Sequence, residues 1–454
     1  MIELRSLLNL PQVDVGMSHW MLRDPSRPDA ILARAGSSYA EIDPAVRGAG
    51  EVFSGGVERV RSAWARITSS KEELLDLLAL EQGRTRVDVA REWSALERLV
   101  SVWINEGWFR EGTLQGWEPR GCAVVLLSSS WPLFHSVKFM LAAWIGGNPV
   151  ILKPSEQASL TVHRMVERVR EGGADVDRVQ CLLGDREIGR RLACHESVET
   201  VVFIGTFENG MRVRQDTLSR PAKEILLHLG NKNVTVFGRD PGDEAFTDLV
   251  DDAFSGAGQD CKSVSLLFLP ETEAGPMVER IHGLARAFPV GDPRDGAWMG
   301  PMQDPARLDR YLKFIGISER EGASVIMRGK PLPGAGKSWC AAPTLALYGG
   351  VTPEDLKRSV ALQTEILSPL LSLIPYRDSA HLVALLGVLN HAHTCNLRGE
   401  GLPDPGRVPF SRVLKNQSIL GADSAVSVHY RKRNGNHALM GLEAPGQFMR
   451  KVLK

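Results

Sequence analysis

The chain has 454 residues, 43% hydrophobic and 24% charged, and its 54 basic residues balance 54 acidic ones. That length predicts two or three domains. A net charge of zero argues against a partner captured by bulk charge, whether nucleic acid or an anionic membrane. No run reaches the ~18 apolar residues that cross a bilayer. The longest, from Phe139 to Leu152, is broken by Gly146, Gly147, Asn148 and Pro149. Met1 to Pro11 alternates apolar and polar residues and does not read as a targeting signal. Six dispersed cysteines without a C-x-x-C pair fit a reduced compartment, so a cytoplasmic location is expected.

In chain order, residues 1 to about 45 are rich in Pro, Arg and Asp and read as an irregular arm lying over a domain. From Ala45 to Val100 the apolar spacing is helical, with Ser69 or Ser70 leading Glu72 or Glu73 as a capping box. Trp103, Trp108, Phe109 and Trp117 sit among polar residues between Val102 and Trp117. They suggest a hairpin that buries against a partner chain or within its own.

An α/β region follows. Cys122–Leu127, Pro149–Leu152, Val179–Leu183 and Val198–Ile204 are short apolar runs, the mark of strands buried on both faces. Helical stretches separate them, which predicts a parallel, doubly wound sheet. Ligands of such sheets lie beyond the carboxyl ends of the strands. Ser128–Pro132, Lys153–Glu156 and Gly205–Gly210 all fall there. Gly205 and Gly210 flank a strand-to-helix turn, where a phosphate can approach a helix N-terminus. Their spacing matches neither a dinucleotide fingerprint nor a P-loop.

Strands Ile225–Leu229 and Val234–Phe237 come next, then a helix over Asp243–Phe254. That helix runs out at Gly256 and Gly258 and delivers Cys261 into a loop. A cysteine reacts as a thiolate and needs a local reason to ionise; free backbone N–H groups, or Lys262, could supply one. Beyond it lie a strand at Ser263–Leu269, helices at Pro276–Ala287 and Asp304–Glu321, an α/β unit from Pro343 to Pro375 and a helix at Ser379–Asn390. His391, His393 and Cys395 offer three metal-ligand types, but no second cluster completes a site, and a partly buried loop or helix end is the preferred reading.

Seven short stretches coincide in order and spacing. They are Glu118–Gly121, Gly147–Glu156, Phe203–Gly210, Leu229–Lys232, Ala257–Cys261, Gly300–Pro301 and Thr364–Pro369. Through them the chain resembles the aldehyde dehydrogenase superfamily from about residue 45 onward, and the Asn-containing segment after Gly230 is similar to semialdehyde dehydrogenases. The resemblance implies two doubly wound Rossmann-type α/β domains plus a small β bridging or oligomerisation element. Residues 1–100 and 119–229 would bind nucleotide, 230–415 would form the catalytic domain, and 101–118 with 416–454 would bridge a homodimer or homotetramer.

The resemblance also implies roles. Cys261 attacks an aldehyde to give a thiohemiacetal, hydride passes to a nicotinamide, and the thioester is released by water or coenzyme A. Lys153 and Glu156 match positions that hold the adenosine ribose, with NAD favoured over NADP because a carboxylate repels a 2′-phosphate. Gly205, Thr206, Gly210 and Leu229 belong to cofactor segments, Thr206 facing the pyrophosphate. Glu365 matches the carboxylate on the nicotinamide ribose. No metal is expected.

Two departures stand beside these matches. His228 occupies the place of the glutamate that activates the hydrolytic water, and Ser130 that of the asparagine that donates to the oxyanion. His228 fits three readings: a replacement base in an active dehydrogenase, the sign of a coenzyme A-acylating enzyme, or a decayed site in a nucleotide-binding or scaffold protein.

Overall fold

The structure, a computed structural model, describes residues 2–8, 18–105, 116–171, 178–230, 232–332, 338–391, 393–422 and 441–451. The described parts of the N-terminal arm are mostly strands. β1 (Ile2–Leu4), β2 (Ser18–Asp24) and β3 (Arg27–Ser37) form a sheet in the order β1-β3-β2. The expectation of an irregular arm missed it because residues alternate in burial only over parts of β3. The helices that follow are Val57–Ser69, Lys71–Gln82 and Arg86–Asn105. The capping box does not form: Ser70 stands at the N-cap but makes no side-chain cap bond. The last helix runs on to Asn105, so Trp103 lies on a helix and is fully buried, not in a hairpin. Trp108 and Phe109 fall outside the described residues.

β4 (Trp117–Pro119) precedes a five-stranded, fully parallel sheet. Its strands are β5 (Ala123–Leu126), β6 (Val150–Lys153), β7 (Val179–Cys181), β8 (Thr200–Gly205) and β9 (Glu224–Leu229). They lie in the order β7-β6-β5-β8-β9. Val124 sits opposite Ile151 on one side and Val201 on the other. One apolar core packs the sheet against helices from residues 57 to 170; a second packs its other face against Ile42–Gly48 and Arg186–Cys194. Strand order therefore reverses between β5 and β8, which opens a crevice at the carboxyl ends of those strands.

β9 passes through Gly230 almost directly into a second sheet. This comprises β10 (Asn233–Phe237), β11 (Val264–Pro270), β12 (Ser324–Met327), β13 (Thr344–Leu347), β14 (Leu370–Tyr376), β15 (Thr394–Arg398) and β16 (Arg412–Lys415). The order is β12-β13-β14-β11-β10-β15-β16, parallel except for edge strand β12. Cores on both faces bury it. β17 (Met449–Lys451) pairs antiparallel with β4.

The C-terminal stretch is divided between the two halves. Asp252, on the helix Asp243–Phe254, accepts bonds from Ser418 Oγ (2.6 Å) and the N–H groups of Ile419 (2.8 Å) and Leu420 (3.0 Å). Phe448 packs instead against Phe139, and its carbonyl accepts from Asn148 Nδ2 at 2.9 Å.

Candidate active site

The helix Asp243–Phe254 ends in a tight turn at Ser255–Gly258, where Gly256, Ala257 and Gly258 all hold positive φ near 60°. The left-handed conformation is costly for Ala257, which has a Cβ. Two more such residues flank the site, Trp131 (φ 49°) and Leu367 (φ 55°). Trp131 opens the helix Pro132–Ile145 without a side-chain cap. Glu92 supplies one from elsewhere: its carboxylate accepts the Phe134 N–H at 2.9 Å. The same carboxylate pairs with Arg84, which also reaches Asp260 at 3.5 Å. These side chains are all buried. One guanidinium thus ties the turn at residue 131 to the loop of Cys261, and removing one partner of such a buried group leaves charge uncompensated.

Cys261 is half-buried, and its N–H donates to Ser130 Oγ at 3.0 Å. Burial, with Asp260 next to it, pushes the thiol up to about 12; Lys262 and the Ser130 hydroxyl pull the other way and lose. Cys261 opens onto a cavity of about 370 Å³ at the switch between β5 and β8. Lys153, Glu156, Gly205, Thr206, Leu229 and Glu365 line it, as do Ser130 and His228. Lys153 is buried, and burial lowers its ammonium to about 8. Thr206 caps the helix Phe207–Asp216, accepting the Asn209 N–H at 3.4 Å. Glu365 lies so close to Gly230 that a Cβ there would meet Oε2 at 2.1 Å. Lys232 fixes the approach to Glu365, donating to the carbonyls of Thr364 (2.8 Å) and Ala361 (3.1 Å).

The profile described as aldehyde dehydrogenase family matches residues 23–395. The chain belongs to the aldehyde dehydrogenase family. Among its relatives, the 4-trimethylaminobutyraldehyde dehydrogenase B of Danio rerio is 26% identical over 318 residues, 64% of this chain and 60% of that protein. The malonate-semialdehyde dehydrogenase 2 of Geobacillus thermodenitrificans is 26% identical over 385 residues, 78% of this chain and 77% of that protein. The chain thus spans between about three fifths and three quarters of these relatives. In fold it is similar to a Thermus 1-pyrroline-5-carboxylate dehydrogenase solved with bound NAD: TM-score 0.87, 21% identity, covering 99% of this chain and 92% of that one.

Against the family pattern, the two altered positions acquire definite surroundings. His228, on β9, is buried beside His135, their ring centroids 5.2 Å apart. Burial and that neighbour hold it well below the ordinary histidine range, so the imidazole is neutral at pH 7. Ser130 Oγ accepts the Cys261 N–H, so the hydroxyl in the place of the oxyanion-donating asparagine is bonded to the backbone N–H beside the thiol. A hydroxyl that accepts one bond still has its own proton to donate.

Gly210 is not brought to the cavity. It packs against the sheet, where a Cβ would meet Leu229 Cδ2 at 2.2 Å, so its place in the fold is close helix–strand packing. His391 and His393 bond to Gly230 O (3.1 Å) and Thr394 Oγ1 (2.8 Å), and Cys395 is buried in β15. Among the described residues no three His, Cys, Asp or Glu side chains are grouped to hold a metal.

Sequence reasoning passed over Arg307, which donates to Ser129 Oγ at 2.7 Å and lines the cavity. It also passed over Lys138. That lysine did leave a signal: it stands inside Pro132–Ile145, a helix every residue of which is buried. A cation on such a helix calls for an explanation.

Proposed function

We propose that this chain oxidises an aldehyde or semialdehyde to a carboxylic acid with NAD, using Cys261 as the nucleophile. The observation that carries this reading is that Cys261 lines one cavity with Lys153, Glu156, Thr206 and Glu365. The residues fit a dinucleotide. Lys153 and Glu156 would take the adenosine ribose, the helix start at Thr206 the pyrophosphate, and Glu365 the nicotinamide ribose. When bound, the nicotinamide supplies a hydride acceptor.

The Cys261 sulfur would attack the carbonyl carbon, its proton leaving to the neutral imidazole of His228. The Ser130 hydroxyl would then donate to the resulting alkoxide. His228 would take a proton from the water that releases the acyl group, a task suited to a neutral imidazole. Overall, aldehyde, NAD and water give carboxylate, NADH and protons. A second reading has one observation in its favour: with histidine in place of the glutamate, release to coenzyme A needs less help from a base, because a thiol is the more acidic nucleophile.

Five strands ending at 229 and seven beginning at 233 support a nucleotide-binding unit over 1–100 and 119–229 and a catalytic unit over 230–415. We propose that the β4–β17 pair takes part in a homodimer or homotetramer contact. No helix among the described residues is long and apolar enough to cross a membrane.

The test is NADH formation from a panel of aldehydes and semialdehydes, with and without coenzyme A, and with NADP in place of NAD. Cys261→Ala is expected to lose at least ~10⁴-fold in rate while still quenching on NAD titration. NADH only in the presence of coenzyme A would select the acylating reading. NAD binding without turnover of any aldehyde would overturn both in favour of a binding or scaffold protein.

A further inference from the structure

The loop that follows β5 is held at both side chains and both carbonyls of Ser129 and Ser130. Gln82 Nε2 donates to Ser129 O at 2.8 Å, and Arg307 Nη2 to Ser129 Oγ at 2.7 Å. Ser130 O faces His135 Nδ1 at 3.2 Å and the Ser128 hydroxyl at 3.3 Å. Ser130 Oγ takes the Cys261 N–H at 3.0 Å. Trp131 comes next, in the left-handed region at φ 49°. A bulky residue keeps that conformation only where its surroundings fix it. Gln82, Ser128 and His135 belong to the same half of the molecule as the loop. Cys261 and Arg307 reach it from the other half.

Arg307 lies in the first turn of the helix Pro305–Arg320. Asp304, the N-cap, accepts its N–H at 2.8 Å and pairs with its guanidinium at 3.5 Å. The root of the side chain is thereby fixed. Its tip divides: Nη2 goes to Ser129 Oγ, and Nη1 to Gln259 Oε1 at 3.4 Å. Ser129 precedes Ser130, and Gln259 lies two residues before Cys261. Gln259 is anchored in turn. Its Oε1 also accepts the Gln303 N–H at 2.9 Å, and its Nε2 donates to the carbonyls of Gly256 (3.2 Å) and Pro301 (3.3 Å). One planar guanidinium therefore spans the two loops whose tips meet in the Cys261–Ser130 bond. A rigid fork of donors can set two acceptors at a fixed separation, which a single ammonium cannot. That separation matters, because a displacement of ~1 Å breaks a hydrogen bond and can cost ~10²-fold in rate.

We propose that Arg307 is a positioning residue, which sets the Ser130 hydroxyl against the Cys261 loop and so fixes the pair that receives the aldehyde oxygen. The inference rests on the reading that Cys261 attacks the aldehyde and Ser130 donates to the alkoxide. Arg307 also lines the cofactor cavity. A residue that merely held the cofactor would change NAD affinity and would act independently of Ser130.

The experiment has two parts. With full-length protein, NAD and an oxidised aldehyde, Arg307→Met is expected to lower kcat ~30-fold and to leave the aldehyde KM within ~3-fold. Arg307→Lys, which keeps one of the two contacts, should recover part of that loss. In Ser130→Ala no hydroxyl is left to place, so adding Arg307→Met should cost less than ~3-fold more. An undiminished loss in that background overturns the proposal. So does NAD binding, followed by fluorescence quenching, that weakens ~10-fold in Arg307→Met while kcat is unchanged.

The second part needs no turnover. Hydrogen–deuterium exchange is followed by mass spectrometry without cofactor or aldehyde. In Arg307→Met, peptides covering residues 128–131 and 259–262 should exchange ~10-fold faster, while β5 and β11 keep their protection. Ser129→Ala removes the same contact and leaves the arginine in place, so it decides the matter if Arg307→Met folds poorly. Faster exchange confined to the two loops sustains the proposal even if no aldehyde is oxidised. Unchanged exchange in both loops sinks it, and in an enzyme that still turns over leaves Cys261 as the nucleophile.

Discussion

Cys261 stands between two spaces built on different plans. The larger, about 370 Å³, opens where strand order reverses and is furnished by short segments at strand ends. The smaller, about 20 Å³, is walled by side chains from several distant segments and carries the basic groups. The first sits where a doubly wound sheet ordinarily receives a ligand; the second is assembled from side chains far apart in sequence. The larger space is thus a product of sheet topology, and the smaller one of side-chain packing across the fold.

The thiol reports which side governs it. If the cations of the small chamber prevailed, Cys261 would be acidic; burial and Asp260 prevail instead and raise it to about 12. A raised thiol pKa means the reactive thiolate is scarce at neutral pH and grows with pH, by tenfold per unit until the pKa is approached. Alkylation of Cys261 by iodoacetamide, followed by mass spectrometry in the absence of cofactor, should accelerate ~10³-fold between pH 7 and pH 10. A rate already level above pH 8 would show that Lys262 and Lys138 had won. Lys262→Gln removes a stabilising charge, so it should shift the profile further toward alkaline pH.

The next effect is smaller and belongs to the boundary between the two spaces. Ser130 Oγ engages the Cys261 N–H at 3.0 Å, and on the proposed reading its hydroxyl donates to the alkoxide. Ser130→Ala removes that donor and frees the N–H at once. Losing one oxyanion donor costs ~3 kcal/mol, or ~10² in kcat, with KM little changed. An unaffected or faster Ser130→Ala enzyme would mean that the serine blocks the N–H donor. The comparison would then sharpen: the oxyanion would depend on backbone alone.

The two spaces also differ in how much of them could be read in advance. Lys153, Glu156, Gly205 and Thr206 were legible because each lies in a contiguous segment ending an apolar strand, and the parallel sheet fixes where those ends point. Glu365 was placed by resemblance, since nothing local reveals that Gly230 makes room for it. The chamber was illegible because His135, His228, Lys262, His393 and Arg412 share no spacing along the chain: the pairing of β15 with β16 sets His393 beside Arg412, and the others arrive from the Pro132–Ile145 helix, β9 and the Cys261 loop. Gly210 misled for a related reason. A glycine at a strand-to-helix turn can admit a phosphate or let a helix lie close to a strand, and the Leu229 contact shows the second. The arm at residues 2–37 was lost because its three strands pair across separate segments and alternate poorly in burial.

The smallest effect lies at the far end of the larger space, where solvent screens charge. Glu156 is exposed, and Lys153 beside it is buried. Trp20 of the arm donates to the Glu156 carbonyl at 3.2 Å, fixing the turn from outside. Arg186, Arg190 and Arg212 line the same cavity. These arginines attract phosphate, so on the proposed reading discrimination between NAD and NADP would fall to the Glu156 carboxylate, which would both accept ribose hydroxyls and repel a 2′-phosphate. Glu156→Gln keeps much of the hydrogen bonding and loses the repulsion. The KM for NAD should rise only ~3-fold, while that for NADP falls, so that the preference narrows by ~10-fold, the size of a partly screened charge interaction. Because screening sets that size, the narrowing should diminish as salt is raised from 0.05 to 0.5 M. A preference that stays fixed in Glu156→Gln at every salt concentration would assign the choice of cofactor to the shape of the turn under Trp20, and not to charge.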